Sequence, residues 1–155
     1  MATLGKSAGA YGAFVAGSRA LVDTLVQRAR TYIYTTATPP LIAHALRTSL
    51  RLIESDEWRR ERVFGHVARL KAGLRSCRWK LLASDTPIQP LVVGTSIDAL
   101  TLSRDLEARG ILVPAIRPPT VPQGTARLRI SLSADHTPED VDKLVDALSE
   151  IDRSR

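Results

Sequence analysis

The sequence has one cysteine and no long apolar run, and these two absences exclude several classes of protein. Cys77 is the only cysteine among 155 residues, which excludes an intrachain disulfide, a zinc site of paired cysteines and a dithiol redox centre. No stretch approaches the roughly 18 apolar residues of a membrane-spanning helix, and no basic segment followed by an apolar one marks a secretion signal. We therefore expect a soluble, cytoplasmic protein with no membrane partner.

The positive charge is concentrated in one part of the chain. The net charge is +6, and residues 47–80 supply all of it through ten cations and four acidic residues. Such a face suits either a solvated helical surface or an anionic partner such as RNA. We favour the solvated surface, since basic charge alone identifies no partner.

The first third of the chain alternates turns with short apolar segments. Residues 1–12 are rich in glycine, and the apolar run at residues 13–17 predicts a buried strand. Apolar positions at helical spacing follow a possible cap at Ser18, and residues 32–34 suit a short extended piece.

The rest of the chain predicts helices followed by an α+β unit. Helices are expected at residues 40–54 and 56–77, and another is expected between a cap at Ser96 and Gly110. Strands are expected at residues 88–93, 111–116 and 125–133. The last helix begins with the capping sequence Thr137, Pro138 and Asp140. We assign residues 1–55 to part of a larger domain and residues 56–155 to a small α+β domain, within the α/β class.

Three places could carry chemistry. Lys6 stands among small residues that leave room for a bulky group beside its amine, although a lysine in such a turn is more often a solvated surface residue. Thr35 and Thr36 could donate to a phosphate before a helix, or cap that helix. Arg129, on the polar face of a strand, could bind a carboxylate through two parallel hydrogen bonds, or be a surface charge on an edge strand.

The three histidines predict no metal site. His44, His66 and His136 share no ligand spacing and have no acidic partner at a suitable interval, so surface or interface positions are expected.

Several motifs resemble one enzyme family in their order and spacing. The first half carries Thr-Leu-Gly-Lys at residues 3–6, Gly-Ala-Phe-Val-Ala-Gly-Ser at residues 12–18 and Tyr-Ile-Tyr-Thr-Thr-Ala at residues 32–37. The second half carries Thr-Pro-Ile-Gln-Pro at residues 86–90 and Ile-Arg-Pro-Pro-Thr-Val-Pro at residues 116–122. Over essentially its whole length the chain resembles the α-oxoamine synthases, which are fold-type I pyridoxal phosphate enzymes, and in particular their biotin-pathway branch.

The resemblance implies a cofactor and the residues that bind it. Lys6 corresponds to the lysine that bonds covalently to pyridoxal 5'-phosphate and later moves the substrate α-proton. Thr3 corresponds to a contact with the cofactor phosphate in the same subunit. Thr35 and Thr36 correspond to phosphate contacts from the neighbouring subunit, which implies a homodimer.

The resemblance also implies a reaction, the decarboxylative condensation of L-alanine with pimeloyl-CoA or a pimeloyl carrier protein. Arg129 corresponds to the clamp for the amino-acid carboxylate and Thr120 to a substrate-contacting threonine in the proline-rich loop. Arg117 is a weaker candidate for contact with the acyl substrate.

The family's other cofactor contacts have no counterpart before Lys6. A carboxylate on the pyridine nitrogen, a stacked aromatic ring or imidazole, and a glycine-rich phosphate cradle all belong to a complete site of this type. Most of the family's large-domain sheet also has no counterpart here, so residues 1–40 are expected to bury poorly in isolation. We therefore expect this chain alone to be inactive or nearly so. Two alternatives stay open: another branch of the family, such as glycine acetyltransferase or aminolevulinate synthase, and a noncatalytic module that binds nucleic acid through the basic segment.

Overall fold

The computed structural model describes residues 1–154 and divides the chain into two units, Met1–Glu57 and Trp58–Arg155. The first unit begins with two short strands, β1 (Ala2–Thr3) and β2 (Ala13–Phe14), which pair antiparallel with Ala2 opposite Phe14. Three helices follow: α1 (Arg19–Arg28), α2 (Arg30–Ile33) and α3 (Pro40–Ser55).

Local sequence explains where these helices begin. The Ser18 hydroxyl accepts a hydrogen bond from the Leu21 N–H at 3.3 Å and so caps α1, as predicted. Pro40 begins α3, where its missing N–H has no consequence. The extended piece predicted at residues 32–34 is wrong. The Ile33 N–H instead donates to the Ala29 carbonyl at 2.9 Å, so one more helical turn forms after α1.

None of the side chains in the first unit is buried. The strand predicted at residues 13–17 is therefore only partly right, because it is shorter than predicted and Phe14 on it is 49% exposed. A pair of strands that are each two residues long is too small to cover an apolar side chain. Burial requires a second packed layer. The expectation of poor burial in residues 1–40 is confirmed.

The second unit is a four-stranded antiparallel sheet packed against helices, which confirms the predicted α+β organisation. Its elements are α4 (Glu57–Gly73), β3 (Lys80–Leu81), β4 (Ile88–Gly94), α5 (Ser96–Glu107), β5 (Ala115–Ile116), β6 (Ala126–Ser131) and α6 (Pro138–Arg153). The strand order is β3-β4-β6-β5, so β6 lies inside the sheet with a partner on each side.

The core of this unit forms between one face of the sheet and the helices. The alternation predicted for β6 is confirmed, since its apolar side chains and Leu132 are all buried. Buried leucines and valines of the three helices pack in the same cluster, and they include Leu70 of α4, Leu102 of α5 and Leu148 of α6. The opposite face of β6 therefore carries its polar side chains.

Three boundaries differ clearly from the sequence prediction. The helix predicted at residues 56–77 ends at Gly73. Thr95, not Ser96, caps α5, through its hydroxyl and the Asp98 N–H at 3.1 Å. The strand predicted at residues 111–116 pairs only at Ala115–Ile116. Pro114 accounts for this shortening because it has no N–H to donate to the ladder, although its carbonyl accepts from the Arg129 N–H at 2.9 Å.

Several cations of the basic segment bind other parts of the second unit. Arg69 donates two hydrogen bonds of 2.5 Å to the Asp142 carboxylate. Arg78 forms an ion pair with Asp152, and the Lys71 ammonium donates to the Ser84 carbonyl at 2.8 Å. These side chains tie α4 and the residues after it to α6 and to the loop before β4.

His66 is a core residue, whereas the sequence predicted a surface or interface position. It is only 4% exposed, and its Nε2 lies 2.9 Å from the His136 carbonyl oxygen. Because a carbonyl oxygen can only accept, the His66 Nε2 is the donor of this hydrogen bond. The bond joins α4 to the loop before α6. Within residues 1–154, no helix is both long and apolar enough to cross a bilayer.

Candidate active site

Lys6 lies in a tight turn between β1 and β2. The Leu4 N–H donates to the Gly12 carbonyl at 2.8 Å and the Ala10 N–H donates to the Leu4 carbonyl at 3.0 Å, which closes the base of the turn. Near the tip, the Gly9 N–H donates to the Lys6 carbonyl at 2.8 Å. Gly9 has a φ of 63°, a conformation that favours glycine and explains its presence at the tip.

The Lys6 side chain points back towards β1. Its Nζ donates a hydrogen bond to the Thr3 Oγ1 at 3.3 Å, and both side chains are exposed. They line an open concavity of about 550 Å³, whose other lining residues are Gly5, Tyr11, Gly12 and Ala13. A primary amine beside a hydroxyl, in surroundings of mostly small residues, suits an aldehyde that also carries a phosphate. No carboxylate is among the lining residues, so this turn does not itself supply a partner for a pyridine nitrogen.

Thr35 and Thr36 lie in the exposed segment before α3. The interpretation of these residues as the cap of that helix is wrong, because the N-cap residue is Pro39 and no side-chain hydrogen bond caps the helix. Within residues 1–154 neither threonine hydroxyl forms a hydrogen bond to another residue. Both hydroxyls thus remain available to an external phosphate.

Arg129 occupies the polar face of β6. It pairs with Pro90 of β4, and its N–H bonds Pro114 beside β5, so the interpretation of this strand as an edge strand is wrong. Arg129 is exposed, and its guanidinium forms no hydrogen bond or ion pair with the described residues. Its planar fork therefore remains available to bind a carboxylate.

Arg127, two residues earlier on the same face, already uses its guanidinium in hydrogen bonds to Thr125. Its Nε donates to the Thr125 carbonyl at 3.0 Å, and its Nη2 donates to the Thr125 Oγ1 at 3.1 Å. Thr125 in turn donates from its hydroxyl to the Pro122 carbonyl at 2.7 Å. The arginine thus holds the end of the loop between β5 and β6, a role that no sequence pattern indicated.

Arg117 and Thr120 lie at the start of that loop. The Thr120 N–H donates to the Arg117 carbonyl at 3.0 Å, so the two residues flank a turn that contains Pro118 and Pro119. Both side chains are exposed. The Arg127 contact holds the other end of the loop, and its three prolines restrict the conformations that it can adopt.

The candidate residues are divided between the two units. Thr3 and Lys6 are in direct contact in the first unit, which also contains Thr35 and Thr36. Arg117, Thr120 and Arg129 belong to the second unit. Sequence reasoning did not single out Ser49 of α3, yet its hydroxyl donates to the Ala8 carbonyl in the Lys6 turn at 2.8 Å. A separation of 41 residues gave no local pattern from which this contact could be predicted.

Sequence comparison relates the chain to a family and to individual enzymes. The profile of the aminotransferase class I and II family matches residues 1–148. The 8-amino-7-oxononanoate synthase of Nitrosomonas eutropha is 60% identical over 151 residues, which are 97% of this chain and 39% of that protein. The chain thus spans well under half the length of this relative.

The chain also superposes on parts of two enzymes of known structure. An 8-amino-7-oxononanoate synthase from Francisella tularensis superposes with a TM-score of 0.86 at 29% identity, over 98% of this chain and 44% of that one. A serine palmitoyltransferase described as containing a pyridoxal phosphate internal aldimine superposes with a TM-score of 0.89 at 28% identity. That superposition covers 98% of this chain and 39% of the enzyme.

Proposed function

The chain belongs to the aminotransferase class I and II family, and we propose that it forms the part of an 8-amino-7-oxononanoate synthase that contains the cofactor lysine and the carboxylate clamp. The reaction is the decarboxylative condensation of L-alanine with pimeloyl-CoA or a pimeloyl carrier protein. Its products are 8-amino-7-oxononanoate, carbon dioxide and the free thiol. Identity of 60% to a synthase of that name supports this assignment.

The observation that carries the proposal is the contact between Lys6 and Thr3. The Lys6 amine is the group that would hold the aldehyde carbon of pyridoxal phosphate, and the Thr3 hydroxyl, 3.3 Å away, would donate to its phosphate. When bound, the cofactor supplies an electron sink for negative charge on the substrate α-carbon. Lys6 Nζ then accepts and returns the α-proton as a general base and acid.

The second unit binds the substrates in this proposal. The Arg129 guanidinium, which is not committed to a described residue, holds the alanine carboxylate through two parallel hydrogen bonds. Thr120 contacts the substrate from the rigid loop, and Arg117 contacts the acyl thioester. Because the Arg127 guanidinium already bonds Thr125, Arg129 is the better candidate on this face to bind the carboxylate.

The neighbouring subunit completes the phosphate site in this proposal. Thr35 and Thr36 are the residues that one subunit contributes to the cofactor of the other, which makes the homodimer the working unit. Their unpaired, exposed hydroxyls suit that role because a phosphate oxygen accepts hydrogen bonds from such donors.

The 155-residue chain by itself is proposed to be inactive. The concavity beside Lys6 offers no carboxylate to a pyridine nitrogen, and none of the side chains in the first unit is buried. Without that carboxylate the ring would be a weaker electron sink. Purified chain, pyridoxal phosphate, L-alanine and pimeloyl-CoA are therefore expected to give no product, and turnover at an ordinary enzyme rate would contradict this.

Another α-oxoamine synthase activity is the second candidate. Its support is the superposition on a serine palmitoyltransferase, at nearly the same TM-score as on the synthase from Francisella tularensis. The two candidates differ in the amino acid that condenses. The contrast between alanine and glycine or serine therefore separates them.

A hybrid enzyme tests the proposal. The portion of the Nitrosomonas eutropha synthase outside the matched region would be joined to this chain, and the purified hybrid assayed with pyridoxal phosphate and pimeloyl-CoA. Product from alanine, with little from glycine or serine, is the expected result. Preference for glycine or serine would favour the second candidate, and no product with any amino acid would count against both.

A further inference from the structure

We propose that Ser49 is a positioning residue, which holds the turn of Lys6 in the geometry that lets Lys6 and Thr3 bind one ligand together. This inference rests on the proposed function of Lys6 and Thr3. Ser49 itself contacts neither the Lys6 amine nor the Thr3 hydroxyl. Its hydroxyl donates a 2.8 Å hydrogen bond to the carbonyl of Ala8, near the tip of the turn.

The two ends of the turn are held in different ways. Its base is closed by the bonds between Leu4 and Gly12 and between Ala10 and Leu4, at 2.8 and 3.0 Å. Within residues 1–154, the backbone of its tip is held by the local bond from the Gly9 N–H to the Lys6 carbonyl and by the bond from Ser49. Ser49 therefore provides the tie between the tip and a long helix.

The bond between Ser49 and Ala8 is better shielded from water than the contact between Lys6 and Thr3. It is partly buried, whereas the bond between Lys6 and Thr3 is exposed. A partly buried carbonyl that loses its donor is costly to leave unpaired, so the tip would shift to find water or another donor. Lys6 is two residues before Ala8 and shares the tip, and such a shift would therefore separate its amine from Thr3.

The positioning role predicts a specific effect on ligand selection. Lys6 supplies the bond to an aldehyde and Thr3 the contact to a phosphate, so correct geometry should make Lys6 prefer pyridoxal phosphate over pyridoxal. A loosened turn would leave the amine reactive towards aldehydes but would reduce the preference for the phosphate. A purely structural role for Ser49 would change stability without changing that preference.

The test uses the 155-residue chain and measures labelling at each lysine. The chain is incubated with pyridoxal phosphate or with pyridoxal, and borohydride then reduces the carbon–nitrogen double bond so that mass spectrometry can count the modified lysines. Lys80, which is exposed on β3, serves as the internal reference within each sample. The variants are Ser49→Ala, Ser49→Thr, which keeps the hydroxyl, and Thr48→Ala as the matched control. Thr48 is the neighbouring residue on α3, and its hydroxyl accepts a hydrogen bond from Arg51, one turn further along the same helix.

The expected result is a phosphate preference at Lys6 that exceeds the preference at Lys80. Ser49→Ala should lower the Lys6 preference by about threefold to tenfold, the range expected for loss of one hydrogen bond. Ser49→Thr and Thr48→Ala should retain it. If the wild-type chain has the preference and Ser49→Ala keeps it, the positioning role is wrong and the proposed function stands. If wild-type Lys6 shows no preference over Lys80, the proposed role of Lys6 and Thr3 fails, and the inference fails with it.

Discussion

The Arg127 guanidinium binds Thr125 through two hydrogen bonds, to its carbonyl at 3.0 Å and to its hydroxyl at 3.1 Å. Arg129, on the same face of the same strand, has no such contact with the described residues. Two arginines that look alike in the sequence therefore have different tasks. One stabilises the loop between β5 and β6, and the other is available to a ligand.

This difference predicts different effects on stability for two alanine variants. Arg127→Ala should lower the free energy of unfolding of the second unit by about 1–3 kcal/mol, because two partly buried acceptors lose their donor. Arg129→Ala should change it by less than about 0.5 kcal/mol. Urea unfolding followed by the fluorescence of buried Trp79, in a Trp58→Phe background, measures both. Equal losses in the two variants would refute the assignment.

A substitution of Arg129 should also change substrate binding. In the hybrid enzyme, Arg129→Lys should raise the KM for alanine by about tenfold or more, since an ammonium cannot replace a planar guanidinium that binds a carboxylate through two bonds. Arg19→Lys, on the exposed surface of α1, is the control and should leave the KM unchanged. Steady-state kinetics with alanine as the varied substrate checks this. An unchanged KM for Arg129→Lys would show that the clamp is elsewhere.

The stability of the second unit should fall in acid. Hydrogen bonding to the Arg69 guanidinium lowers the pKa of Asp142, and the Arg78 backbone N–H lowers the pKa of Asp152. Because each folded-state pKa lies below the unfolded value of about 3.9, each carboxylate contributes its full stabilisation at pH values above that unfolded pKa. That stability is lost as the pH falls through the folded pKa.

Unfolding by urea between pH 6 and pH 2 measures this loss. Asp142→Asn and Arg69→Gln each remove one side of the same contact, and both should flatten the acid part of the curve by a similar amount. A curve that either variant leaves as steep as the wild type would contradict the assignment of this contact.

Two glycines of α4 should respond in opposite directions to alanine. A Cβ at Gly73 would lie 2.6 and 2.8 Å from the two Cγ atoms of Val145, a stiff side chain on α6, whereas a Cβ at Gly65 would meet nothing within 4 Å. Gly73→Ala should therefore destabilise the second unit by about 1–3 kcal/mol through overpacking. Gly65→Ala should stabilise it by about 1 kcal/mol through helix propensity. The Trp79 unfolding assay tests the pair, and stabilisation by Gly73→Ala would show that α4 and α6 pack less closely than described.

The regular elements could be predicted from sequence wherever one chemical pattern dominated. The alternation along β6 and the capping box of α6, in which Thr137 and Asp140 bond reciprocally, are strong local signals, and both are confirmed. Prediction failed where a distant partner decides the structure. The buried His66 ring donates to the His136 carbonyl, a partner 70 residues away that no local pattern indicates.

The candidate site was predictable only through resemblance. Taken alone, a lysine in a glycine-rich turn indicates a solvated side chain, and only the family motifs singled out Lys6 and Thr3. The structure adds their 3.3 Å contact and the Ser49 bond to the same turn. Neither follows from spacing, because the side-chain direction of Lys6 depends on how the whole turn closes.

The most direct measurement of the central claim is the condensation rate of the hybrid enzyme with Lys6 replaced. Lys6→Ala removes the amine that holds the cofactor aldehyde and moves the α-proton, and the rate of 8-amino-7-oxononanoate formation should fall by at least about 100-fold. Lys80→Ala, which removes an exposed lysine of β3, should leave the rate unchanged. Undiminished product formation by the Lys6→Ala hybrid would contradict the account.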